Sequence, residues 1–196
     1  MIRIAGINEN DFVNGKGVSV SLFLQGCPFH CKGCHNPETW NPDGGEIWDW
    51  NELINHILEL ITANGIQRNL SILGGEPLDT YDKRDFIRLL IKVVKSHFPD
   101  IKICIWTGYT YDQLIEIVDA GEILANIDYL IEGPFILEQR DVTLKWRGSR
   151  NQNIINLKIN ETKIRDSLNK NANEPITIKD LFTANVADVI TIEKSE

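Results

Sequence analysis

Apolar residues along this chain fall into short blocks of two kinds, and the two kinds alternate. Residues 18–24 (VSVSLFL) join β-branched and large apolar side chains without a helical stripe, which predicts a buried strand. That strand runs directly into GCPFHCKGCHNP, a loop held by Gly26, Pro28, Gly33 and Pro37. Trp50, Leu53, Ile54, Ile57, Leu58 and Ile61 then recur at three- and four-residue spacings, the stripe of an amphipathic helix that Asn64-Gly65 ends. A strand at 69–73 (NLSIL) leads into Gly74-Gly75-Glu76-Pro77. A second helical stripe follows through Phe86, Leu89, Leu90, Val93 and Val94 as far as Pro99. IKICIW (101–106) is the third strand. After it come Thr107-Gly108, a helix carrying Leu114, Ile115 and Val118, and a fourth strand, IDYLIE, that stops at Gly133-Pro134.

Strands alternating with amphipathic helices imply right-handed crossovers and an α/β fold, with a mostly parallel sheet and the helices outside it. A closed eightfold barrel takes about 250 residues. The 196 residues here leave room for an open, partial (β/α) barrel at most. Loops after the carboxyl ends of parallel strands gather on one face, where ligands bind. The cysteine loop, GGEP, Trp106-Thr107-Gly108 and Glu132-Gly133-Pro134-Phe135 are those loops, so four distant segments are expected to converge. From Asn160 the periodicity fades into polar sequence (TKIRDSLNKNANEP). Residues 1–160 are therefore expected to form the domain and 161–196 an extension of unassigned role.

Composition narrows function more than fold. Hydrophobic residues at 42% and charged residues at 24% are ordinary globular usage. Acidic residues outnumber basic ones 28 to 20, and the net charge of −8 disfavours a phosphate-backbone binder, so no nucleic-acid partner is expected. No apolar run approaches the roughly 20 residues of a membrane helix, and the chain opens MIRIAGINENDF without a signal-peptide pattern. A cytoplasmic protein without a membrane partner is the expectation. Three of the four cysteines (Cys27, Cys31 and Cys34) crowd into eight residues, too close for a disulfide framework, and clustered thiols in a reducing compartment point to metal.

Cys27, Cys31 and Cys34 form C-x3-C-x2-C, from which three thiolates can each reach a different iron of one 4Fe-4S cube and leave the fourth iron open. Zinc, completed by His30, His35 or Cys104, is the alternative, although structural zinc sites usually take their cysteines as two pairs. Cys104 alternates with Lys102 on a strand and reads as a small buried hydrophobe. An open iron needs an outside ligand, and GGEP suggests where a small molecule would lie. Two glycines allow close backbone approach, their carbonyls accept from an ammonium group, and Glu76 adds a charge-assisted bond. An ordinary strand-to-helix turn is the competing reading of the same four residues.

Cys27-x3-Cys31-x2-Cys34 followed by His35-Asn36, with Gly74-Gly75-Glu76-Pro77 after the next strand, resembles the radical S-adenosylmethionine superfamily. More narrowly, FVNGKGVSVSLFLQGCPFHCKGCHNPETW, LGGEPL, WTGYT, IEGPF and WRGSRNQ resemble the activating-protein family of the anaerobic (class III) ribonucleoside-triphosphate reductases over about residues 8–155. Many members carry Gly-Gly-Asp-Pro where this chain has Glu76, a difference of one methylene.

The resemblance implies a shortened radical SAM fold in which Cys27, Cys31 and Cys34 hold a 4Fe-4S cluster whose open iron chelates the methionyl amino and carboxylate groups of S-adenosylmethionine. Gly74, Gly75, Glu76 and Pro77 would grip that amino group. Gly33, Cys34 and His35 would lie along the adenine, with the imidazole as a stacking face. Thr107 would reach the methionyl carboxylate or ribose, or else cap the following helix. In WRGSRNQ, Arg147 can fork to a carboxylate or carbonyl while Asn151 and Gln152 supply amide bonds, for a partner protein or as a structural corner. Trp146 is core or surface contact, and Trp40, Trp48 and Trp50 are expected to shield the cysteine loop from water.

The implied activity is radical generation on a protein glycine of the reductase, with a low-potential electron donor such as flavodoxin or ferredoxin. Cluster and cofactor carry the chemistry, so no acid-base residue is assigned. A small-molecule radical enzyme would need more chain to close over a free substrate. A cluster that only passes electrons would have four cysteines.

Overall fold

The computed structural model describes residues 1–157 and 191–193. Its elements are β1 (Ile2–Asp11), β2 (Ser19–Leu24), β3 (Glu46–Trp48), α1 (Trp50–Thr62), β4 (Asn69–Gly74), α2 (Tyr81–His97), β5 (Ile103–Trp106), α3 (Tyr111–Ile115), α4 (Ala120–Asn126), β6 (Tyr129–Glu132), β7 (Asn153–Asn156) and β8 (Thr191–Glu193). Among the described residues one eight-stranded sheet runs in the order β3-β1-β2-β4-β5-β6-β7-β8 and does not close. β2, β4, β5 and β6 pair in parallel, as the helical crossovers between them require. β1 and β3 flank them antiparallel on one side, β7 and β8 on the other. These flanking strands lie outside the sequence expectation. β1 carries core residues only at Ile2 and Ile4 before the exposed Asn8-Glu9-Asn10, and β3 is three residues long.

The central strands carry different chemistry on their two faces. Val20, Leu22, Leu70, Ile72, Ile103, Ile105 and Leu130 pack under α1 and α2 in the main core. α1 contributes Leu53, Ile54, Ile57, Leu60 and Ile61, and α2 contributes Phe86, Ile87, Leu90, Ile91 and Val94. Each such side chain fully buried is worth roughly 1.5–3 kcal/mol. The alternate residues Ser19, Ser21, Ser71 and Cys104 are small and fully buried on the opposite face. There the segment between β1 and β2 folds back across the sheet: Ser71 Oγ donates to Asn14 O at 2.6 Å and Asn69 Nδ2 to Lys16 O at 2.6 Å. With both faces covered, the alternating residues are small and buried, not charged and exposed.

The single helix expected around Leu114, Ile115 and Val118 is instead two short ones, α3 and α4. Leu114 alone is buried in α3, and Val118 is 96% exposed. Three-residue backbone bonds from Ile117 N to Leu114 O and from Ala120 N to Ile117 O turn the chain, so that Ala120, Ile123 and Leu124 reach the core in its place. The extension expected at 161–196 lies outside the described residues, apart from Thr191–Glu193, which pairs with β7. No helix among the described residues is long and apolar enough to cross a membrane.

Candidate functional site

β2 ends at Leu24, and the loop beyond it is tied back to its own entry. Gly26 N donates to Thr39 O at 2.7 Å and Cys27 N to Trp40 O at 3.2 Å. The buried Gln25 side chain donates to Glu38 O at 3.0 Å and Asn41 O at 2.7 Å. Inside this closed loop Cys27, Cys31 and Cys34 are free, half-buried thiols, with Cys34 N bonded to Cys31 O at 3.0 Å. Burial pushes the Cys27 thiol up, helped by the nearby Glu76 carboxylate. Burial does the same to Cys31, helped by Cys34.

The GGEP turn after β4 packs on this loop through backbone. Gly75 N donates to Leu24 O and Glu76 N to Gly26 O, both at 2.8 Å. A Cβ on Gly75 would come within 2.2 Å of Gly26 O, and one on Gly74, at φ +112°, within 2.6 Å of Leu24 N. The close approach these glycines allow brings the turn against the end of β2 and the start of the cysteine loop.

Glu76 is 1% exposed and faces the turn after β5. Its Oε1 accepts from Thr107 Oγ1 at 2.8 Å and Leu78 N at 3.0 Å, and its Oε2 from Gly108 N at 2.7 Å. Burial outweighs these donors and pushes the carboxyl up to about 7. Thr107 thus donates to Glu76 and accepts from Tyr109 N at 3.2 Å. The following helix is capped by Thr110, in a capping box with Gln113, so Thr107 is not its cap. Gly108 lies against the Phe29 ring of the cysteine loop, and Phe29 meets Tyr109 edge-on at 4.9 Å. Gly133 N donates to Tyr109 O at 2.9 Å, which joins the turn after β6 to the others.

These four turns border one cavity of about 580 Å³. Cys27, Cys31, Cys34, His35, Gly74, Gly75, Glu76 and Thr107 line it, as do Trp146, Arg147 and Gln152. Gly33, Pro77 and Asn151 do not: Gly33 is pressed on Leu137, Pro77 is buried, and Asn151 Nδ2 donates to Pro134 O at 2.6 Å. Gln152 bridges Gly133 O, at 3.0 Å, and Gly148 N, at 2.9 Å, so both amides brace a corner of the chain. Arg147 Nη1 reaches Gln152 O at 3.4 Å. Trp146 packs beside Cys104, Ile131 and Ile154, and its carbonyl accepts from Trp106 Nε1 at 2.9 Å.

Cys104 is fully buried with its thiol pushed up to about 12, mainly by burial, and it lies away from the cavity. His30 turns to the Trp40 ring at 5.0 Å, while His35 borders the cavity 6.4 Å from Phe135. Of the three tryptophans expected over the cysteine loop only Trp40 is there. Trp48 stacks on His56 at 5.5 Å and Trp50 meets Phe86 at 5.7 Å, because the helix-sheet interface holds their apolar area. Sequence reasoning missed Gln25 and Lys83, whose partners are backbone oxygens distant in sequence. It also missed Asn14 and Arg140 on the cavity wall.

Residues 13–155 match the family model described as a 4Fe-4S single cluster domain. The chain is also similar to three proteins named anaerobic ribonucleoside-triphosphate reductase-activating protein. With the one from Vibrio cholerae it shares 39% identity over 142 residues, 72% of this chain and 90% of the relative. With that of Haemophilus influenzae it shares 37% over 150 residues, 76% and 94% of the two chains. With that of Enterobacteria phage T4 the identity is 36% over 148 residues, 74% and 87%. A cysteine loop inside the matched region and this similarity over most of the chain together mean that the protein belongs to the family of anaerobic ribonucleoside-triphosphate reductase-activating proteins.

Proposed function

We propose that the chain activates an anaerobic ribonucleoside-triphosphate reductase by generating a glycyl radical on it, with a 4Fe-4S cluster on Cys27, Cys31 and Cys34 and with S-adenosylmethionine as cofactor. The observation that carries the reading is the convergence of the cysteine loop with three further turns around one cavity. The donor set fits the group. Cys27, Cys31 and Cys34 are free thiols on one short loop bordering the cavity. Thiols spread along a loop suit a cube in which each sulfur meets its own iron. The open sheet, with its main helices on one face, agrees with a shortened radical SAM barrel.

When bound, cluster and cofactor would supply reductive cleavage of the sulfonium, the radical chemistry needed to remove hydrogen from a glycine Cα of the reductase. The residues of the chain bind, orient and shield. The backbone at Gly74 and Gly75 would take the methionyl amino group, with Glu76 fixing the turn to Thr107 and Gly108. His35 offers a flat face to the adenine. Arg147 stands on the same cavity wall, where an inserted loop of the reductase would pass. A low-potential donor such as flavodoxin or ferredoxin would supply the electron, in the anaerobic cytoplasm.

Anaerobic reconstitution tests the metal assignment. About four irons and four sulfides per chain are expected. Alanine at Cys27, Cys31 or Cys34 should abolish the stable cluster while Cys104→Ala keeps it. One equivalent of zinc, or equal loss at Cys104, would overturn the assignment.

A further inference from the structure

Lys83 is buried in the first turn of α2, 8% exposed, where neither helix stability nor solvation calls for a lysine. The positive end of the helix dipole disfavours a cation there, and a Glu at this position would complete a capping box with Thr80. Burying an ammonium also carries a desolvation cost that only good partners offset. The partners are specific. Lys83 Nζ donates to Gly26 O and to Glu76 O, each at 2.9 Å, and pairs with Asp79 Oδ1 at 2.8 Å. Gly26 O belongs to the peptide whose N–H is that of Cys27, and it also accepts from Glu76 N. One buried cation therefore clamps the entry of the cysteine loop to the GGEP turn. A local rule broken with such specific partners is the mark of a functional demand.

We propose that Lys83 is a positioning residue of the metal loop: it fixes the Gly26–Cys27 peptide against GGEP and sets a positive charge behind the cysteines that favours the reduced form of the group they hold. This rests on the reading that Cys27, Cys31 and Cys34 carry an iron–sulfur cluster. Side chains 10% and 15% exposed leave the Lys83–Asp79 pair little screened by solvent, so changing either partner is felt at the loop. The two partners act in opposite directions. Lys83→Met removes the cation and leaves the Asp79 anion, which opposes an added electron. Asp79→Asn removes the anion and leaves the clamp on both carbonyls.

The test is a redox titration of the reconstituted protein without S-adenosylmethionine, beside its iron and sulfide content. At a fixed poise, Lys83→Met is expected to lower the ratio of reduced to oxidised cluster at least tenfold, which is 59 mV for a one-electron couple. Asp79→Asn should raise it, and Lys83→Arg should stay nearer the wild type than Lys83→Met. Shifts of the same sign in Lys83→Met and Asp79→Asn, or both below twofold, would overturn the proposal. If Lys83→Met does not load iron, Asp79→Asn still decides, and an unshifted potential there overturns it. A wild type that takes up no cluster would remove the metal reading and this proposal with it. A normally loaded wild type with unshifted variants removes the proposal alone.

Discussion

A carboxyl group sealed from water and facing three donors is drawn two ways, and in Glu76 burial prevails, raising its titration from an ordinary 4.5 to about 7. The neutral form is then favoured by folding. That contribution is complete below about pH 4.5 and is lost as pH rises through about 7. Glu76→Gln keeps the shape without the titration. Urea unfolding of the metal-free chain should therefore show wild type losing roughly 3 kcal/mol relative to Glu76→Gln across that interval. A difference that stays flat with pH would contradict the burial argument. At this scale the sequence marks Glu76 and the three cysteines but does not show which contacts they make within the protein. Glu76 and Thr107 hold each other instead of facing only outward, and the amides of Asn151 and Gln152 brace their own corner.

Turns, more than strands or helices, hold the site together, and the contact of GGEP with the cysteine loop is the tightest of them. A Cβ at Gly75 has nowhere to go but into Gly26 O. Gly75→Val should therefore cost about 1–3 kcal/mol of stability and lower iron uptake and cofactor binding together, read by iron analysis and equilibrium dialysis. Unchanged iron uptake and unchanged cofactor binding would contradict both the contact and the proposed site. α1 and α2 are legible in the sequence because each buries one continuous stripe against the sheet. The break between α3 and α4 is not, since Ile115 and Val118 keep helical spacing yet stay exposed while Ile117 and Ala120 turn inward. β1 and β3 escape because they bury few apolar side chains, Ile2 and Ile4 in β1 and none in β3.

Over the whole molecule, the two faces of the sheet divide the labour between core and site. One face carries the aliphatic core. On the other, small residues make room for the segment before β2, and the carboxyl ends of the parallel strands open into a cavity bordered by three thiols, Arg140 and Arg147. The convergence of the four turns follows from strand direction, and so it could be read from the order of elements. The clamp made by Lys83 could not, because the two oxygens it joins are carbonyls that any residue supplies. On the proposed reading this cavity serves a radical delivered to the anaerobic ribonucleoside-triphosphate reductase. Electron paramagnetic resonance of the reconstituted chain with dithionite, S-adenosylmethionine and the anaerobic reductase tests it most directly. A glycyl radical signal on the reductase is predicted, abolished by Cys31→Ala and weakened by Arg147→Ala at unchanged iron content. Cleavage of S-adenosylmethionine with no radical on the reductase, or a radical formed only on a different enzyme, would contradict it.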